Sequence, residues 1–583
     1  MTSAPSGPAK TLSVRDVCSR VADLPAAVAT WRGKRRSSPA WTFISGAIVA
    51  VMALPLVTIL LLALAPADNI WPHLMAHVLP QAILDTTILM LGVGLLTLVT
   101  GTGTAWLVTM YRFPGRGLID RVLVLPLAMP TYIVAYCYGE LLDYGGPLQT
   151  TMRAALGWKT ANDYWFPVPD VRSLPGAIFV LGSVLYPYVY LSARATFVQQ
   201  SVCALEVART LGRTPMGAFR AVALPMARPA LAAGLALVLM ECLNDLGAVQ
   251  YLGVQTLTAS IYATWTQRSN LGGAAQLAGV MLLLVGFLFA AERLARGGAR
   301  VHQTTGRYRS IPFQDIEGWK GYAAGILSAL PFVAGFVLPF FVLVRHAFTH
   351  VGEAIEGGFL LAAANSLMLS SLTACAAIVV ALTLGYTRRV ASNGFTRPAV
   401  RLAGLGYAIP GTVLAIGILV PLAALDNRID GFFRDHFGIS TGLLLSGSIF
   451  ALTLAYVVRF LAVALGSIDA GLERISPNLD AAARALGETA LSTLRRVHMP
   501  LLLPVLGAAG LLVFVDCMKE LPATLLLRRL NFETLATHVY GFAALEQFEG
   551  AALGALTIVL VGLVPVLLLH KAVAGGRAGG GSH

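Results

Sequence analysis

Glu206-Val-Ala208-Arg209-Thr210-Leu211-Gly212, with Pro225 and Pro229 downstream, has a second version in Ala481-Ala-Ala483-Arg484-Ala485-Leu486-Gly487, with Pro500 and Pro504 downstream. The two glycines stand 275 residues apart (positions 212 and 487), and both prolines keep that interval. A polar, helix-punctuating segment that recurs once in an apolar chain points to a tandem duplication. Other matches extend it. Asp85-Thr-Thr pairs with Asn365-Ser-Leu, and Ala128-Met-Pro130 with Ala408-Ile-Pro410. Glu241-Cys-Leu-Asn-Asp245 pairs with Asp516-Cys-Met-Lys-Glu520, and Thr256-Leu257 with Thr534-Leu535.

Of 583 residues, 56% are hydrophobic and 12% charged, about half the charged share of an ordinary soluble domain. Apolar runs long enough to cross roughly 30 Å of hydrocarbon as helices fall near 42–66, 82–110, 119–142, 174–198, 229–253 and 273–293, and again near 322–345, 360–387, 400–425, 441–466, 501–527 and 551–575. The expected fold is therefore all-α and polytopic, with about twelve transmembrane helices in two tandem six-helix halves. Alternating ten-residue strands, which a barrel needs, are not evident. Six spans is an even number, so the halves insert in parallel and place a shared site between them. The organisation expected is a tail over 1–40, a first transmembrane domain over 41–295, a linker over 296–320, a second transmembrane domain over 321–576 and a disordered end over 577–583.

The net charge of +13 reads as topology rather than nucleic-acid binding. Arg32, Lys34, Arg35 and Arg36, then Arg112, Arg116 and Arg121, then Arg293 and Arg296, then Arg388, Arg389 and Arg397 all fall on one side if the N-terminus is cytoplasmic. The C-terminus then lies on that side too. The first span reads as a retained anchor, because no short apolar core with a small-residue cleavage site precedes it. The six cysteines have no CxxC spacing, so neither a zinc site nor a disulfide framework is indicated. Of the longer loops, 143–173 carries Trp158 and Trp165, which read as interfacial anchors, and 426–440 is of mixed charge. No Gly-x-x-x-x-Gly-Lys-Ser/Thr loop and no nucleophile–base set stands out, so no catalytic residue is assigned and the chain is not expected to be an ATPase.

The repeated segment has readable local chemistry. Ser201 and Ser476 can start a short helix, with Pro477 in the first turn of the second copy, and Gly212 and Gly487 can end one in a left-handed conformation. Thr214 before Pro215, and Thr489, can start the next helix. Pro225 and Pro229 are expected to interrupt the approach to span five. The small residues Ala208, Ala482 and Ala483 leave room for close packing against another protein.

Glu-x-Ala-x-x-x-Gly followed thirteen residues later by Pro resembles the EAA loop of the membrane subunits of ATP-binding-cassette importers. The resemblance implies a type I importer permease fold. It also implies that Glu206, Ala208, Gly212 and Pro225, with Asp480, Ala483, Gly487 and Pro500, form the loops that couple to two cytoplasmic nucleotide-binding ATPase subunits. Those subunits would carry ATP and Mg; this chain would bind no cofactor of its own. A periplasmic substrate-binding protein and membrane lipid complete the implied partners, and the implied location is a bacterial inner membrane. The second copy departs from the pattern, since Ala481 stands where the acid is expected and Asp480 precedes it. Asn244-Asp-Leu-Gly-Ala-Val-Gln-Tyr-Leu-Gly253, Glu520-Leu-Pro-Ala-Thr-Leu-Leu-Leu-Arg528 and the fusion of two halves are similar to permeases of ferric-iron importers. Permeases for thiamine, phosphonate or polyamines share much of this pattern and stay open as alternatives.

Glu241 and Asp245, and again Asp516 and Glu520, are four residues apart and so are expected on one helix face. An acid near the bilayer centre costs about 2.5–3.5 kcal/mol on insertion scales and normally faces a bundle interior or a water path. These four are the candidate pathway residues, with no metal ligand assigned among them. Lys519 is placed to neutralise Asp516. Cys242 and Cys517 read as packing residues, and Tyr132, Tyr136 and Tyr138 receive no role. Buried acids in a twelve-span chain also fit an ion-coupled secondary transporter, which would not need the paired loops.

Overall fold

The computed structural model describes residues 39–66, 69–160, 163, 170–199, 210, 212–296, 314–356, 358–391 and 396–575. Among them, eleven helices are long and apolar enough to cross a membrane, and a bent pair supplies a twelfth. The first half contains α1 (Pro39–Leu64), α2 (Leu79–Met110), β1 (Tyr111–Arg112), α3 (Arg116–Val122), α4 (Thr131–Leu142), α5 (Leu174–Gln199), α6 (Leu224–Asn244), α7 (Gly247–Tyr251), α8 (Leu257–Thr266) and α9 (Leu271–Arg296). The second contains β2 (Gln314–Asp315), α10 (Trp319–Phe332), α11 (Leu338–Thr349), α12 (Phe359–Val390), α13 (Thr396–Ala403), α14 (Gly411–Phe437), α15 (Ile449–Arg474), α16 (Pro477–Ala485), α17 (Met499–Met518), α18 (Pro522–Leu527), α19 (Leu535–Ala544) and α20 (Phe548–Gly575).

The duplication is written into hydrogen bonds. Thr256 and Thr534 cap α8 and α19, accepting from the amides of Ala259 and Thr537 at 3.3 Å each. The next amide in each copy donates to a hydroxyl on the second helix of its own half, Leu257 N to Thr86 Oγ1 at 2.9 Å and Leu535 N to Ser366 Oγ at 2.7 Å. Inside lipid every backbone donor must find such a partner, so these matched hydroxyls hold α8 and α19 in the same place twice.

Each half lends its first helix to the other. α1 packs on α12, α13 and α14 of the second half; on α12, Ser45 donates to Thr387 Oγ1 at 2.8 Å and Trp41 meets Tyr386 edge-on at 5.3 Å. The α10–α11 span packs against α2 and α4, with the Tyr138 hydroxyl donating to the carbonyl of Ala334 at 2.8 Å. β2, at the end of the linker, pairs in parallel with β1, which ties the joint between halves to the loop after α2.

Four expectations need correction. Pro229 sits inside the continuous α6 and does not interrupt the approach to span five. Neither does Pro225, nor does its counterpart Pro500 interrupt span eleven. Pro225 and Pro500 each stand just after a five-residue π turn (Phe219–Ala223, Leu494–His498), as do Pro80 (Leu74–Val78) and Pro339 (Val333–Val337). The wider turn relieves the clash between the proline ring and the preceding turn, so the helix continues. The third span does not run straight: it bends by 97° between Ala128 and Thr131, at Pro130. Spans five and eleven stop earlier than their apolar runs, at Asn244 and Met518. Lastly, 426–437 is helix, not loop. Asp426 and Asp430 on α14 instead fold the loop that follows: Asp426 accepts from Ser446 N at 2.7 Å and Leu445 N at 2.9 Å, and Asp430 from Thr441 N at 2.8 Å. The apolar run starting near 441 therefore begins in that loop, and α15 starts at Ile449.

Candidate functional site: a charged cavity between the halves and a repeated loop

The breaks after α6 and α17 build the site. Asp245 leaves the helix and turns its carboxylate onto the start of α7, where Oδ1 accepts from Ala248 N at 2.8 Å and Val249 N at 3.3 Å. Glu520 does the same for α18, accepting from Ala523 N at 3.0 Å and Thr524 N at 3.2 Å. A carboxylate that satisfies orphan amides competes with helix continuation. Glu241 and Asp245 therefore do not share a helix face, and neither do Asp516 and Glu520, contrary to their spacing.

All four acids nevertheless line one cavity of about 110 Å³ between the halves. Thr131, Tyr132, Tyr188 and Asn244 come from the first half, and Tyr407, Arg459 and Lys519 from the second. Glu241 accepts from the Tyr407 hydroxyl at 2.6 Å, and Asn244 Oδ1 from Gly411 N at 2.9 Å, so both bonds cross between halves. Asp245 also accepts from Thr131. Asp516 pairs with Lys519 at 2.9 Å, as its spacing suggested, and buried Glu520 with buried Arg459 at 3.0 Å. Four carboxylates face one ammonium and one guanidinium, leaving a formal charge of about −2 by full ionisation. Among the described residues no three His, Cys, Asp or Glu side chains are grouped to hold a metal ion. Cys242 and Cys517 are buried and do not line the cavity.

Arg459 and Tyr407 are the site residues that sequence reasoning misses. Arg459 had a visible signal, as one arginine inside a long apolar span. Of the three tyrosines left without a role, Tyr132 lines the cavity, while Tyr138 serves the packing of α10–α11.

The repeated loop lies at the end of the bundle that also carries the β1–β2 pair, by alternation of the spans. Its second copy is fully described. Ser476 caps α16, accepting from Asn478 N at 3.3 Å. Gly487, at φ +82°, closes it: Gly487 N donates to Arg484 O and Glu488 N to Ala483 O, each at 3.0 Å. This is the paired bond pattern of a Schellman stop. Thr489 then caps the following turn through Ser492 N at 3.2 Å. Ser492 and Arg496 hold the Glu488 carboxyl below its ordinary range. In the first copy Gly212 has φ +77° and Thr214 accepts from Gly217 N at 3.1 Å. Glu206, Ala208 and the Ser201–Leu211 helix lie outside the described residues, apart from Thr210.

Two of the expected contact residues face inward. Ala483 is buried against its own bundle. Asp480 is clamped by Arg389 at 2.6 Å and by His498 Nε2 at 2.7 Å, and Arg389 also binds the carbonyls of Leu472 and Ile475 that end α15. The outward face is instead Leu479, Ala482, Arg484 and Leu486, the last 84% exposed. Asp480 thus fixes the lever to its bundle. Hydrogen bonds to a charged group are worth about 1.5–3 kcal/mol, so Asp480→Asn is expected to speed amide exchange over 477–489 by about ten- to a hundredfold. Unchanged protection, read by mass spectrometry, would show that the clamp is idle.

Comparison with known proteins decides the class. Residues 97–292 match the family described as binding-protein-dependent transport system inner membrane component, a stretch that includes the first loop and the first pair of cavity acids. The Fe(3+)-transport system permease protein FbpB 2 of Haemophilus influenzae is 27% identical over 84% of this chain and 89% of its own length. Residues 97–292 belong to this permease family, and the similarity to FbpB 2 runs through both halves. Shorter matches to this permease are the putative 2-aminoethylphosphonate transport system permease protein PhnU of Salmonella choleraesuis (29% identical, 35% of this chain, 71% of the relative) and the sulfate transport system permease protein CysT of Salmonella typhimurium (31%, 26% and 52%). The permease is thus a multi-pass inner-membrane subunit of an ABC importer and not an enzyme. That membership sets aside the ion-coupled alternative raised by the buried acids.

Proposed function

We propose that the permease carries a small ferric species, passing it through the cavity between the halves. The observation that carries this reading is the cavity itself: four acids at positions matched between the repeats, converging where two helices break. Discontinuous helices at a repeat interface are where transporters hold their cargo. An excess of carboxylate suits a hard cation rather than sulfate. The volume of about 110 Å³ is well under the roughly 300–1,000 Å³ of pockets for drug-sized ligands, which disfavours thiamine. Of two relatives matched along both halves, one is named for Fe(3+) and the other, the probable ABC transporter permease protein y4fN of Sinorhizobium fredii, for no substrate, whereas the phosphonate and sulfate permeases match about a third of the chain or less.

Two ATPase subunits, carrying ATP and Mg, dock on the two repeated loops in this reading, and a periplasmic binding protein delivers the cargo at the other end. Both termini are cytoplasmic, because Arg112, Arg213, Arg388, Arg389, Arg474, Arg484 and Arg496 gather at the loop end. Closing of the ATPase pair draws the loops together and rocks the halves, alternating access to the cavity.

The test is ATP-dependent uptake of labelled Fe(III), sulfate and 2-aminoethylphosphonate by the complex reconstituted with its ATPase and binding protein. Iron alone is expected to accumulate; uptake of either anion without iron overturns the assignment. Glu241→Gln keeps an acceptor for Tyr407 while removing charge. We expect it to lower iron uptake roughly tenfold, the effect of about 1.4 kcal/mol, at unchanged protein yield. Full uptake in Glu241→Gln and Asp516→Asn would take these acids out of the pathway.

A further inference from the structure

We infer that the cavity receives the ferric ion still wearing a small oxyanion, and holds it through its ligands rather than by direct coordination. This rests on the ferric reading above and concerns the form of the cargo. A hard cation bound directly takes about six oxygens in a tight shell. The cavity's carboxylates are already engaged. Glu520 is held by Arg459 and two amides, Asp245 by Thr131 and two amides, Asp516 by Lys519, and Glu241 by Tyr407. Stripping Asp245 or Glu520 from the amides would leave α7 and α18 without their caps.

The second observation concerns donors. The Tyr132 hydroxyl and Arg459 Nε have no hydrogen-bond partner among the described residues, although Tyr132 is only 5% exposed and Arg459 7%. Both residues line the cavity. A buried donor left unpaired costs about 1–3 kcal/mol, so these two take acceptors from whatever fills the cavity, the cargo included. A bare cation offers none. Water coordinated to the ion gives its lone pair to the metal and turns its hydrogens outward, so it suits the carboxylates and not these donors. The free oxygens of an oxyanion bound to the ion suit Tyr132 and Arg459. The cavity thus presents acceptors for coordinated water on one set of groups and donors for a coordinated anion on another. Its excess of negative charge retains a complex whose net charge is positive.

The test uses the reconstituted complex with its binding protein and ferric oxalate labelled in both iron and carbon. About one oxalate is expected to enter per iron, with ATP, and oxalate without iron is expected to stay outside. Iron entering free of label, or oxalate entering equally well without iron, overturns the inference. Failure of iron to enter in any form instead overturns the ferric reading. Tyr132→Phe, which removes one donor and keeps the ring, is expected to lower entry of both labels several-fold together. Unchanged entry of both labels in Tyr132→Phe would show that Tyr132 does not hold the anion.

Discussion

Glu520→Ala is expected to destabilise the permease by about 3–5 kcal/mol, because it leaves the Arg459 guanidinium buried without its counter-charge. The pair is closed from solvent on both sides, and the same substitution strips the cap from α18. A charge stranded in this way destabilises far more than the intact pair stabilises, since desolvation consumes most of the attraction between partners. The double variant Arg459→Met with Glu520→Gln is therefore expected to recover most of the lost stability: it removes the stranded charge and keeps an acceptor for the amides of Ala523 and Thr524. Thermal inactivation of the purified, detergent-solubilised protein distinguishes the cases. If Glu520→Ala melts with the parent, the ion pair has no structural role. If the double variant melts with Glu520→Ala, an unpaired Arg459 is not the source of the loss.

Gly487→Val is expected to uncouple transport. The backbone there is left-handed at φ +82°, and at Gly212 it is +77°. An added Cβ at either glycine would meet no atom within 4 Å, so the penalty comes from backbone conformation and not from crowding. An L-residue pays roughly 1–2 kcal/mol in this region, and a β-branched one pays more. Relaxing that strain tilts α16 away from its Schellman stop and displaces Leu486 from the outward face. Recovery of the ATPase subunits on the tagged permease, and ATP-driven uptake with it, is expected to fall by about tenfold or more. Gly487→Asn, which tolerates the left-handed region, is expected to keep most of both. Normal recovery and uptake with valine at both glycines would show that the loops do not hold the ATPases.

The spans and the duplication were legible because lipid enforces long apolar runs and because matched caps, such as Thr256 and Thr534, serve matched bonds. The ends of α6 and α17 were not. Hydropathy continues through Val249 and Leu527, while the chain breaks where an acidic side chain takes over the work of a backbone carbonyl. Pro522 was a visible signal for the second break; Asp245 offered only its chemistry. Periodicity placed the acid pairs on one face, and the break then rotated Asp245 and Glu520 into the same cavity by another route. Arg459 was visible as a lone base in its span, but averaged hydropathy, which a single base barely lowers, gave it no weight. The inward turn of Asp480 depends on Arg389, 91 residues before it, and on His498, 18 residues after it, and neither carries a mark of the contact.

The exchange of leading helices bears on how the protein is made. Trp41 must wait for Tyr386, a partner that emerges from the ribosome about 345 residues later, or tens of seconds at common synthesis rates of roughly 5–20 residues per second. Through that interval α1 has α9 of its own half beside it but lacks its second-half neighbours. Two separate polypeptides would have to find each other by lateral diffusion to complete the same contacts. A single chain delivers the missing surface at an effective concentration in the millimolar range and fixes the ratio of the two bundles at one to one.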